Sequence, residues 1–142
     1  MFTGRPEWNE TFMKYTSKVK VIDAKPNSYV KYEYTVTKDV LNTVGKLHEG
    51  CVATLLDVCM ASLICDENQL NLQQNGVTVD LEISHLNTVD LGETIIIDAK
   101  SLKNGKKLVV LQAKVYRKSD KEIVAFGKQI LAHIPKEYHK NS

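Results

Sequence analysis

Asp57 stands alone in an otherwise apolar stretch, CVATLLDVCMASLIC, that runs from Cys51 to Cys65. A helix with no polar face is buried rather than laid on a surface, so the charge of Asp57 is costly unless it is paired or used. Burial raises a carboxylate's pKa toward the range in which it exchanges protons near neutrality, as a general base must. A structural reading is equally open, in which Asp57 accepts hydrogen bonds from Thr54, Ser62 or neighbouring backbone. Immediately upstream, residues 42–50 read NTVGKLHEG. They place His48 and Gly50 where the first backbone N–H groups of the helix lack intrahelical partners. Such amides, with the positive end of the helix dipole, can hold an oxygen that is becoming negative.

The elements that would position these groups follow from pattern. The apolar run is shorter than the roughly 20 residues of a membrane span, and a central Asp would cost roughly 2.5–3.5 kcal/mol on insertion. A chain of 142 residues, 43% hydrophobic and 25% charged, is that of one ordinary globular domain. A net charge of +2 gives no field that argues for nucleic acid. The three cysteines, Cys51, Cys59 and Cys65, all fall on the apolar run without metal-ligand spacing and read as small core residues in a reducing compartment. Glu7 and Glu10 argue against a secretory signal and weaken the case for a mitochondrial presequence. Trp8, Phe12, Tyr15 and Val19 recur at helical spacing behind Pro6, predicting a short amphipathic helix over about 6–19.

The remainder reads as strands, over 20–24, 29–36, 93–102, 107–117 and 122–133, with Asn104-Gly105 and Ser119-Asp120 as hairpin connections. The clearest alternation begins at Val77: Val77, Val79, Leu81 and Ile83 face one way, and Thr78, Asp80, Glu82 and Ser84 the other. Helix, strands, apolar helix, strands is the order of an α+β domain with an antiparallel sheet. One flat face cannot cover a helix that is apolar all round, so the sheet curls about it or a second subunit closes the open side.

The blocks N-x-x-G-x-L-H-x-G (42–50), A-T-L-x-D (53–57) and G-V-T-V-D (76–80) together resemble the small acyl-CoA thioesterases of the hotdog superfamily, over about 20–134. The resemblance implies a curved antiparallel sheet wrapped around one long helix, and hydrolysis of acyl-CoA thioesters. It implies that Asp57 activates water, that the hydroxyl of Thr78 helps position that water, and that Asn42 and His48 orient the thioester. The backbone amide at Glu49, between His48 and Gly50, would polarise the carbonyl. Glu49 is itself a departure, because the family has glycine there; its N–H is retained whatever the side chain, but a carboxylate is set beside the developing oxyanion. No metal is implied and no cofactor, coenzyme A being part of the substrate.

At 1.5 Å rise per residue, the amide of Glu49 and the carboxylate of Asp57 lie on the order of 10 Å apart along one helix. A two-fold partner would supply the missing half, and the resemblance implies a homodimer or homotetramer with sites between subunits. Lys103, Lys106 and Lys107, clustered at the Asn104-Gly105 turn, are the candidate contacts for the nucleotide phosphates, with Arg117 and Lys118 behind them; His85 and His133 are read as structural or exposed. Two other activities fit the same scaffold: hydratase or dehydratase chemistry, which would want a histidine paired with the acid, and non-catalytic acyl-CoA binding. An intracellular protein of the cytoplasm or mitochondrion is expected.

Overall fold

The computed structural model describes residues 10–64 and 76–133. Pro6, Glu7, Trp8 and Cys65, on which expectations were placed, lie outside the described residues. Six strands, β1 (Lys20–Lys25), β2 (Tyr29–Thr35), β3 (Val77–His85), β4 (Thr94–Asn104), β5 (Leu108–Arg117) and β6 (Ile123–Ala132), form one antiparallel sheet in the order β1-β2-β4-β5-β6-β3. One α-helix, α1 (Glu49–Ala61), packs on the concave side. This is the sheet around a helix that the apolar run demands.

Tyr32, Ile95, Ile97, Ala99, Leu111 and Ala113 all point to the helix and are buried. Gly127 on β6 lets α1 approach closely: a Cβ there would stand 3.2 Å from Met60 Cε and 3.3 Å from Leu56 Cδ1. The helix ends where Ser62 caps it. The Ser62 hydroxyl donates to the Cys59 carbonyl at 2.6 Å and accepts from the Tyr32 hydroxyl at 2.7 Å, tying the helix end to β2. Cys51, Val52, Leu55, Leu56, Val58, Cys59 and Met60 are buried, whereas Ala53, Thr54, Asp57 and Ala61 are only partly so. The sheet thus leaves one stripe of α1 half open, and Asp57 lies on it.

The expected N-terminal helix is, within the described residues, a 3-10 segment, Phe12–Thr16. The Thr16 and Ser17 hydroxyls bond back to the carbonyls of Met13 (2.9 Å) and Lys14 (2.8 Å), a local competition that stops short helices. At the β4–β5 connection the strand runs through Asn104, so the turn is Gly105 to Lys107 rather than Asn104-Gly105. Glycine is required at 105, because an added Cβ would lie 2.5 Å from the Leu108 carbonyl oxygen.

The largest departure from simple alternation is in β3. Thr78 pairs with Leu131 and Asp80 with Ile130, so Val79 is an extra residue, a β-bulge. Leu131, Gln129 and Gly127 are the buried, helix-facing positions of β6, and their partners on β3 are Thr78, Leu81 and Ile83. The bulge therefore brings Thr78 onto the same side as Leu81 and Ile83, whereas unbroken alternation sets it on the opposite face. Val77 and Val79, expected inside, are 53% and 57% exposed.

The close approach at Gly127 is testable. Gly127→Val should lower unfolding stability by about 1–3 kcal/mol, the usual cost of overpacking, with Gly127→Ala costing less. Urea unfolding monitored by circular dichroism reads both.

Candidate active site

Two clefts flank α1. The first opens beside Asp57, with a volume of about 450 Å³, and Met13, Val58, Ala61, Val77 and Leu131 supply its apolar lining. Asp57 Oδ1 receives a short hydrogen bond from the side-chain amide of Gln129, and the Thr78 hydroxyl stands 3.5 Å from the same oxygen. Gln129 Nε2 also donates to Thr78 Oγ1 at 3.0 Å, closing a three-membered network across α1, β3 and β6. The donors that a purely structural Asp57 would use are committed elsewhere: Thr54 to the Gly50 carbonyl at 2.8 Å, Ser62 to Cys59. Burial raises the Asp57 carboxyl above its ordinary range, and donation by Gln129 and then Thr78 opposes part of that rise.

Sequence reasoning missed Gln129. Its signal was a polar residue on the inward side of β6, where Ala125, Gly127 and Leu131 are small or apolar. That signal is faint, because an amide inside an alternating strand passes for an outward polar position until the pairing partner is known.

The second cleft, about 270 Å³, lies at the start of α1, among Phe12, Tyr15, Val40, His48, Gly50 and Thr54. His48 is the N-cap, and its Nδ1 accepts from the Gly50 N–H at 2.8 Å. The ring lies so close over Gly50 that an added Cβ would sit 2.9 Å from Nδ1, which explains the glycine. The N–H groups of Cys51 and Val52 go to the His48 carbonyl. Of this first turn the Glu49 N–H is left without a partner among the described residues, and the Glu49 side chain is exposed. Asn42 shapes the approach: its Oδ1 accepts from Val44 and Lys46 N–H, both at 3.0 Å, around Gly45, whose φ of +80° suits glycine. Cys51 lines this cleft too, but burial pushes its thiol up to about 11, so it stays protonated and is no nucleophile at neutral pH.

Asp57 and the helix start thus sit in separate clefts of one chain, eight residues and about 12 Å of helix apart. Lys103, Lys106 and Lys107 are exposed, at the end of the sheet far from the helix start. Their hairpin adjoins the Asp57 cleft, since Leu108 pairs with Ala132 and Ala132 with Val77. Arg117 and Lys118 are engaged, Arg117 with Asp120 at 3.0 Å and Lys118 with Glu33 at 3.3 Å. His85 and His133 are exposed. Among the described residues, no helix is long and apolar enough to cross a membrane.

A family model described as thioesterase superfamily matches residues 44–124. Human acyl-coenzyme A thioesterase 13 is 31% identical over 118 residues, which cover 82% of this chain and 81% of that protein. The crystal structure of zebrafish thioesterase superfamily member 2 matches with a TM-score of 0.79 at 30% identity, covering 94% of this chain and 91% of that one. Its mouse counterpart matches with a TM-score of 0.74 at 30% identity, over 87% of each chain.

The raised pKa of Asp57 has a consequence for stability. The folded state binds this proton more tightly than the unfolded state, so the contribution is full below the ordinary carboxylate range and is lost as pH rises through the folded value. Asp57→Asn should therefore melt with wild type at about pH 3 and above it at about pH 7. Thermal melts across that interval measure the crossover.

Proposed function

This chain belongs to the thioesterase superfamily, and from that membership we propose that it hydrolyses acyl-CoA thioesters to a free acid and coenzyme A. The observation that carries the reading is the half-buried carboxylate of Asp57, facing an apolar cleft and anchored on one oxygen only, by Gln129 and Thr78. Asp57 takes a proton from water as the water oxygen attacks the thioester carbon, and the Thr78 hydroxyl holds that water. The oxyanion is met by the Glu49 N–H at the start of α1, with His48 and Asn42 shaping the approach of the thioester. Collapse of the tetrahedral intermediate expels the coenzyme A thiolate, which takes up the proton. The apolar lining of the Asp57 cleft suits the acyl chain, and Lys103, Lys106 and Lys107 suit the nucleotide phosphates.

One chain cannot bring these halves together, but a two-fold dimer built on β3 can. Outward of β6, β3 is an edge strand of nine residues with an unpaired side, a surface that soluble proteins cover. Thr78 lies at one end of β3. Beyond the other end, the Val89 carbonyl accepts from Leu47, one residue before the N-cap of α1. Antiparallel pairing of β3 with its copy exchanges those ends, carrying the helix start of one subunit toward Asp57 of the other. We infer a homodimer with two composite sites, which can pair further into a tetramer. An intracellular location follows from the substrate, since coenzyme A thioesters are charged and do not cross membranes unaided.

The test is release of free thiol from a panel of acyl-CoAs of increasing chain length. Asp57→Ala should lose at least about a hundredfold in kcat, the scale of general-base effects, and undiminished turnover in that variant would remove Asp57 from the mechanism. Glu49→Gly, run beside it, should keep or raise the rate, because the N–H remains and a carboxylate near the oxyanion is withdrawn. Tight coenzyme A binding by calorimetry with no turnover on any chain length would instead identify a binding protein.

A further inference from the structure

We propose that Gln129 is the positioning residue of this site: its buried side-chain amide fixes which oxygen of Asp57 is free to work and which way the Thr78 hydroxyl points. The inference rests on Asp57 being the base.

Gln129 has no exposed surface. It occupies a helix-facing position of β6 between Gly127 and Leu131, where a leucine or methionine of similar volume would pack without an unmet polar group. Its Oε1 is buried with no hydrogen-bond partner among the described residues. A side chain kept for packing alone would not carry that penalty. What distinguishes the amide is its pair of N–H hydrogens, and both are spent on the site, one on Asp57 Oδ1 and one on Thr78 Oγ1.

The chemistry of each acceptor then follows. Turning the amide over would set Oε1 against an ionised carboxylate, so the orphaned oxygen is the cost of keeping a donor on Asp57. Because Oδ1 is the oxygen taken by Gln129 and faced by Thr78, Oδ2 carries no hydrogen bond from the described residues and is the one available to water. Thr78 Oγ1 accepts from Gln129 and its single hydrogen is directed at Asp57 Oδ1, 3.5 Å away, so its second lone pair is left for an incoming donor. A threonine alone would spin freely between donor and acceptor roles; the amide removes that freedom.

The same contact tunes the base. Burial raises the Asp57 carboxyl and the Gln129 hydrogen bond lowers it. No charged side chain among the described residues faces Asp57: β3 presents Thr78, β6 presents Gln129 and Leu131, the 3-10 segment presents Met13, and α1 itself Val58 and Ala61. Gln129 is thus the principal group opposing burial.

The experiment is the pH dependence of kcat and KM for thioester hydrolysis by the full chain, for wild type, Gln129→Met, Gln129→Glu and Asp57→Ala. In Gln129→Met the acidic limb should move up by about one to two pH units, the worth of a hydrogen bond to a charged group. Its kcat should fall with KM little changed. Gln129→Glu, of nearly the same shape, should move the limb further, since a second carboxylate opposes ionisation of the first. A merely structural role would lower the melting temperature and leave the limb in place. Should both variants fail to fold, the wild-type protein still decides: the Gln129 side-chain NH2 resonances must titrate with the midpoint of the acidic limb. Resonances that stay flat through the limb overturn the proposal. If Asp57→Ala is inactive while Gln129→Met keeps the wild-type limb and rate, positioning fails alone; if Asp57→Ala turns over normally, the base fails and Gln129 with it.

Discussion

An ionised carboxylate away from bulk water needs donors, and Asp57 draws them from two strands that meet only because β3 crosses to the far edge of the sheet. The chain leaves α1, passes β6 and pairs outside it, so that Thr78 and Gln129 come to stand side by side beneath the helix. Register does the rest. With Gly127 one helix-facing position from Gln129, α1 settles close enough on β6 for the carboxylate to reach the amide. The contact is local, but strand order, the bulge at Val79 and the glycine under the helix are all conditions for it.

The start of α1 and Asp57, four residues before its end, meet opposite electrostatic problems by the same means, hydrogen bonds allotted to some groups so that another is left over. At the start, His48 takes the Gly50 N–H on its ring and the next two amides on its carbonyl, which leaves the Glu49 amide without a partner among the described residues. At Asp57, Gln129 and Thr78 converge on Oδ1, which leaves Oδ2. In each place the hydrogen bonds among the described residues leave one atom over, the Glu49 nitrogen in one and Asp57 Oδ2 in the other.

Much of the molecule is legible from pattern. The strand limits fall within two residues of those expected from alternation and turn residues, because half-buried strands must alternate and their turns need Asn, Gly or Asp. Asp57 declared itself as the one charge in an apolar run, and His48 to Gly50 by their place before it. The order of strands was not legible, since alternation says that a strand has two faces and nothing of which neighbour it takes. The orientation of Thr78 was hidden for a related reason: period-2 reasoning assumes an unbroken ladder, and the bulge breaks it between Thr78 and Asp80. Gln129 was hidden because its partners lie 72 and 51 residues away in sequence.

The bulge makes the site depend on parity rather than on side-chain identity at that point. Val79 is exposed and stands outside the core that packs on the helix. Drawing Val79 into an unbroken ladder would turn Thr78 to the outside and lose its hydroxyl to Asp57, whereas deleting Val79 would leave Thr78 opposite Leu131 and still facing the helix, with Asp80 opposite Ile130. The facing of Thr78 is thus set by its register against Leu131 and not by counting back from Leu81, so an alignment reads the site correctly only when it sets Thr78, and not Val79, opposite that position.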